Sequence, residues 1–151
     1  MAALPLGTSA PLLVGSVKPG PTEVRDTRDL DAAFATIIHE HPEALLLLVD
    51  PLTLRQRSRI VEFAAEQRLP AIYETRDFVD VGGLISYGPN GLELFRRAAT
   101  YVDKILRGAK PAGLPIEQPT KFELVINMRA AKTLGIKFPD SILLRADKVI
   151  E

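Results

Sequence analysis

Three short apolar runs in this 151-residue chain end in polar side chains. Asp50 follows the run 45–49, Tyr73 and Glu74 follow 71–72, and Ser86, Tyr87 and Gly88 follow 84–85. In parallel α/β sheets, ligands sit in the crevice beyond the carboxyl ends of the strands. Gathered on one rim, these groups would offer a carboxylate pair, phenol and hydroxyl oxygens, and free backbone amides. Such a set suits a small ligand carrying an ammonium or several hydroxyls. The competing reading is structural: Asp50 stops a strand before Pro51, and Glu74 is a solvated strand end.

Other chemistries find less support. His39 and His41 stand at i and i+2, which puts them on different faces of a helix, unlike the i, i+4 pair of a zinc helix. They read as surface residues at a helix end. Residues 83–88 miss the G-x-S-x-G nucleophile elbow by one position, and neither histidine is placed to serve Ser86. The chain has no phosphate-cradling G-x-x-x-x-G-K-[ST] and no G-x-G-x-x-G. Asp50 could mimic a receiver-domain phosphoacceptor, but that requires an acidic pair at the end of the first strand, where this chain has Lys18. Without cysteine there is no disulfide, thiol nucleophile or cysteine metal site. No catalytic constellation, metal site or cofactor is expected. Lys and Arg number 19, as do Asp and Glu, so a nucleic-acid partner, which calls for a basic face, is not expected either.

The elements that would carry these residues alternate as βα units. A first strand is predicted over 12–17 and a short extended piece over 23–25. A helix over 27–39 places Leu30, Phe34, Ile37 and Ile38 on one face, and Pro42 ends it. The run 44–49 reads as a strand covered on both faces. Thr53 is the expected N-cap of a helix reaching 68, with Ile60, Val61, Ala64 and Ala65 inward. A strand over 71–74, a short helix over 76–81 and a strand over 84–87 follow. Residues 88–91 form a loop opening the strongest helix of the chain. There Phe95, Ala98, Ala99, Val102, Ile105 and Leu106 make an unbroken apolar stripe, and Gly108 caps the end. From 110 to 119, three prolines mark an extended connector. A strand over 122–126, a helix capped by Asn127 and closed by Gly135, and a short ordered tail over 142–150 complete the chain. The fold class expected is α/β: a mostly parallel sheet with helices on both faces.

From residue 23 to 151 the sequence resembles the C-terminal part of the ABC-transporter substrate-binding proteins. The group concerned includes proteins assigned to tryptophan/tyrosine transport, with a type I periplasmic-binding-protein fold. Carrying segments include Ala44-Leu45-Leu46-Leu47-Leu48-Val49-Asp50-Pro51 and Leu69-Pro70-Ala71-Ile72-Tyr73-Glu74. Others are Gly82-Gly83-Leu84-Ile85-Ser86-Tyr87-Gly88-Pro89 and Tyr101-Val102-Asp103-Lys104-Ile105-Leu106-Arg107-Gly108-Ala109-Lys110-Pro111. The most C-terminal is Glu117-Gln118-Pro119-Thr120-Lys121-Phe122-Glu123-Leu124-Val125-Ile126-Asn127.

The resemblance implies a non-catalytic solute receptor whose two lobes close on a small ligand and deliver it to an ABC permease. Asp50 matches the aspartate that would pair with a ligand ammonium in amino-acid-binding relatives; Tyr73, Glu74, Ser86 and Tyr87 map to the same cleft edge. Residues 1–22 lie outside the resemblance, 23–109 form a ligand-binding lobe, and 110–151 a crossover connector with a strand–helix arm. Family members are about twice this length and carry a secretory or lipoprotein signal. The resemblance implies a periplasmic protein; a start at Met1 without a signal would make it cytoplasmic. It also implies that 110–119 leaves the lobe and 122–134 packs in a second one. Without that second lobe, the apolar strand must fold back on its own lobe or pair with another copy. The latter gives a homodimer, in one form by exchange of the C-terminal arm. With half a cleft, the chain alone should bind solutes weakly. A different-class alternative is a stand-alone cytosolic module for oligomerisation or small-molecule regulation.

Overall fold

The computed structural model describes residues 10–16, 18–24 and 26–151. Positions 17 and 25, at the ends of two expected strands, and residues 1–9 lie outside that set. The described residues form a seven-stranded mixed sheet in the order β2-β1-β3-β4-β5-β6-β7. β1 (Ala10–Ser16) and β2 (Lys18–Val24) make an antiparallel hairpin. β2 is the edge strand, the place where Pro19 and Pro21 cost no central ladder bond. β3 (Ala44–Leu47), β4 (Ala71–Tyr73) and β5 (Ile85–Pro89) run parallel at the centre. β6 (Phe122–Asn127) pairs antiparallel with β5, and β7 (Lys148–Ile150) pairs parallel with β6.

Helix α1 (Thr27–Glu40) starts where the sequence places it because Asp26 accepts from the backbone N–H groups of Arg28 and Asp29. Leu30, Ala33 and Ile37 fall one turn apart and are buried against Leu45 and Leu47. The helix expected from Thr53 is in fact two. α2 (Pro51–Arg55) is capped by Asp50, and the backbone turns at Gln56 before α3 (Arg57–Glu66). Pro51 explains the earlier start: it lacks an N–H and suits the first helical position, so the residue before it becomes the cap. Ile60, Val61, Phe63 and Ala64 carry α3 into the core, and Phe63 stacks on Phe34 of α1 at 3.9 Å between ring centroids. Full burial of such side chains contributes about 1.5–3 kcal/mol each.

α4 (Arg76–Asp80) seats Phe78 on Tyr73, ring centroids 4.9 Å apart. Two glycines allow close packing here, Gly83 beside the Tyr73–Phe78 stack and Gly88 against Glu74. A Cβ on Gly83 would lie 2.7 Å from the Tyr73 ring, and one on Gly88 would lie 1.9 Å from the carbonyl oxygen of Glu74. After β6, Asn127 caps α6 (Met128–Leu134) by accepting from the N–H groups of Arg129 and Ala130, and Gly135 closes it in the left-handed conformation. α7 (Asp140–Leu143) leads into β7.

The C-terminal strand does not lie apart from the lobe, contrary to what the resemblance implies. β6 joins the same sheet along the register Ile85↔Ile126 to Pro89↔Phe122, with Val125 and Ile126 fully buried. Of the two outcomes open to it, folding back on its own lobe is the one observed. The element that projects is instead α5 (Gly91–Leu106), which has no buried residue along its length. Phe95 is 78% exposed and Leu106 81%. A helix of this length is marginal alone. It is braced by the connector, where the Tyr101 hydroxyl donates to the Pro115 carbonyl at 2.7 Å and Arg97 pairs with Glu117.

Candidate functional site

The parallel strands set the site by ending together. Asp50 lies just beyond β3, with its Oδ1 accepting from the N–H of Thr53 at 2.7 Å while the Thr53 hydroxyl accepts from Asp50 N–H at 2.9 Å. Glu74 lies just beyond β4, and its Oε2 accepts from the N–H of Val49 at 2.9 Å. That bond crosses from one strand end to the next and brings the Glu74 carboxylate to the backbone adjoining Asp50. The two carboxylate-bearing positions predicted from sequence therefore share one edge.

The other three predicted residues divide. Leu47, Tyr73 and Ser86 sit side by side in register across β3, β4 and β5, each 1% exposed. Tyr73 and Ser86, expected at the cleft edge, are core residues. Alternation explains it, because successive strand residues point to opposite faces and this row points into the layer that holds Phe78. Burial pushes the Tyr73 phenol well above its ordinary value. Tyr87, the next residue along β5, takes the other face, 55% exposed and stacked on Phe122 with ring centroids 5.5 Å apart.

A hollow of about 390 Å³ opens beside Glu74, where α4 and α5 begin. Its lining adds residues that the sequence did not mark as site candidates: Thr75, Arg76, Asn90, Phe95 and Glu123. Arg76 donates to both carboxylate oxygens of Asp80, at 3.1 and 3.3 Å, and to Glu123 at 3.4 Å. The hydrogen bond to Asp80 raises its pKa and keeps the guanidinium charged. Asn90 caps α5 by accepting from Glu93 N–H at 3.1 Å, and its own N–H donates to the Lys121 carbonyl at 3.0 Å. The Thr75 hydroxyl oxygen is buried and, among the described residues, is the side-chain polar atom left without a partner. Two of these carried a sequence signal. Asn90 precedes a strongly periodic helix, as an N-cap does, and Arg76 has Asp80 four residues on.

The wall is mainly anionic, with Glu74, Asp77, Asp80 and Glu123 around the one cation Arg76. A ligand ammonium or hydroxyl suits such a wall. A second hollow of about 430 Å³ lies at the opposite ends of these strands, between α3 and α6. Aliphatic side chains share its walls with Asp80, Arg129, Thr133 and Asn127, and Asn127 already caps α6. Of the two carboxylates singled out from sequence, Glu74 lines the strand-end hollow and Asp50 lines neither. Among the described residues no group of His, Asp or Glu is placed to hold a metal, and His39 and His41 are exposed. No helix among them is long and apolar enough to cross a membrane.

The family model for ABC transporter substrate binding proteins matches residues 16–150. A search of curated proteins returned no match. Among solved structures, a conserved domain protein from Vibrio cholerae superposes with a TM-score of 0.75 at 27% identity, over 82% of this chain and 42% of that one. An ABC domain from Streptococcus pneumonia, solved in complex with L-Trp, gives 0.76 at 27% identity, over 84% of this chain and 44% of that one. The ligand-free, open structure of a substrate-binding protein with adhesive properties from Clostridium difficile shares the fold, at a TM-score of 0.58 and 19% identity over 84% of this chain and 42% of that one. The chain spans less than half the length of these structures.

Proposed function

The chain belongs to the family of ABC transporter substrate binding proteins, and on that premise we propose that it is a ligand-binding lobe that holds a small amino-acid-like or polar solute at the carboxyl edge of β3–β5. The observation that supports this reading is the Glu74–Val49 hydrogen bond, which holds the Glu74 carboxylate on the backbone N–H of the residue before Asp50. Asp50 and Glu74 receive the ligand ammonium. Tyr73 and Ser86 support that edge from beneath, and Tyr87 offers an aromatic face on the other side of β5. The family's role and the absence of a catalytic constellation support a receptor that does no chemistry on its ligand. The reading places it outside the cytoplasmic membrane, passing its solute to an ABC permease. A neighbour solved with L-Trp makes amino acids the first solutes to try.

One lobe supplies one wall of a cleft, so affinity is weak, with a Kd of roughly 0.1–1 mM, about −5.5 to −4 kcal/mol. Isothermal titration of the folded chain with single L-amino acids tests the reading. Saturable heat that Asp50→Asn and Glu74→Gln abolish supports it, and tight binding indifferent to both refutes the site. The alternative, a stand-alone module that oligomerises, draws on one observation, the uncovered apolar face of α5. A homodimer is part of either reading; β6 already lies in its own sheet, so exchange of the C-terminal arm is not required.

A further inference from the structure

Leu92, Phe95, Ala99, Val102 and Leu106 follow one another along α5 at spacings of three, four, three and four residues. These are the a and d positions of a heptad, the seam along which two helices pack, and Ala98 and Ile105 widen its apolar face. All five are exposed. The polar back of the helix is the side already occupied, with Arg97 on Glu117 and Tyr101 on Pro115. The connector thus braces α5 and leaves the seam open.

We propose that α5 pairs antiparallel with α5 of a second copy of this chain. Charge decides the partner and the direction. With Leu92 at position a, Arg96 and Asp103 take the two e positions, while Ala98 and Ile105 take the g positions. Antiparallel helices set e against e and g against g. Arg96 then meets the second copy's Asp103, and two-fold symmetry makes that pair twice. Ala98 and Ile105 close the other flank with apolar contact. Parallel helices would instead set each e charge against an apolar g residue. Along the seam, Phe95 packs on the second copy's Leu106, and the small Ala99 lets Val102 approach closely at the centre. Within one copy Arg96 bonds Glu93 and Asp103 bonds Arg107. These are exposed pairs worth little, so they give way readily. The two-fold contact is closed and consumes the seam.

Sedimentation velocity and light scattering of the full chain test this. The expected species has twice the 16.5 kDa chain mass. Phe95→Asp should raise the dimer dissociation constant about a hundredfold, and Arg96→Asp about tenfold. The double exchange Arg96→Asp with Asp103→Arg should restore dimerisation. Because α5 contributes nothing to the buried core, these variants keep the wild-type circular dichroism, and their melting differs from wild type only at concentrations where wild type is dimeric. A chain monomeric at all concentrations overturns the proposal, as does a dimer that neither Phe95→Asp nor Arg96→Asp weakens. Failure of the double exchange to restore pairing also overturns it, as does a monomer whose α5 is covered only by a separately added polypeptide. Leu92 and Phe95 border the strand-end hollow, whereas Arg96 and Asp103 do not, so the Arg96→Asp variant and the double exchange separate the outcome from solute binding.

Discussion

Glu74 accepts a 2.9 Å hydrogen bond from the backbone N–H of Val49, so the end of β4 is fastened to the end of β3 one residue from Asp50. The contact ties together two strand ends that are separate in sequence. It also makes Glu74 part of the structure it serves, and variants must be chosen to keep that bond.

Gly88→Ala is the sharpest structural test of this edge. An added Cβ would lie 1.9 Å from the Glu74 carbonyl oxygen, a contact that cannot persist. Urea denaturation should show a loss of roughly 1–3 kcal/mol or more, as overpacking does, with solute binding lost as Glu74 moves.

Asp50 has two duties that substitution can separate. Asp50→Asn keeps the side-chain oxygen that caps α2 and should leave the denaturation midpoint within a few tenths of a kcal/mol of wild type, while Asp50→Ala should cost about 1 kcal/mol. A large loss of stability in Asp50→Asn would show that its charge serves the fold itself.

Tyr73→Phe should leave solute affinity unchanged, because the Tyr73 side chain belongs to the core row with Leu47 and Ser86. Loss of binding in a variant with wild-type melting would return the phenol to the site.

The fold was legible where one residue type suffices for a local decision. Asn127 and Gly135 bracket α6, Pro42 follows α1, and apolar periodicity located α1, α3 and α5. Tyr73 shows the limit. It neighbours Glu74 in sequence, yet alternation sends adjacent strand residues to opposite faces, and only the packing of Phe78 decides which is inside. The place of β6 is likewise a long-range matter, fixed by pairing with β5 some forty residues earlier. The stripe on α5 announced a helix correctly, but periodicity says nothing about what covers it.

Acid should loosen the start of α1. The Arg28 side chain, with the backbone N–H groups of Arg28 and Asp29, holds the Asp26 carboxyl at about 2. Its unfolded value is about 3.9. A depressed carboxyl stabilises the folded state above the unfolded value, and that contribution fades as pH falls through the folded one. Carboxyl NMR should place the Asp26 midpoint near 2 and show it rising in Arg28→Ala. Fraying of the first turn should be confined to the window below about pH 4. An Asp26 that titrates at the ordinary value in wild type would contradict the cap geometry.

The account turns on one carboxylate edge, and isothermal titration of the wild-type chain beside Asp50→Asn and Glu74→Gln examines it most directly. Gln at 74 keeps an acceptor for the Val49 N–H and Asn at 50 one for the Thr53 N–H, so both variants should fold. The prediction is weak, saturable binding of an L-amino acid to the wild type and a fall of at least about tenfold in each variant, the worth of a hydrogen bond to a charged group. Binding that is tight and equal in all three proteins would contradict it.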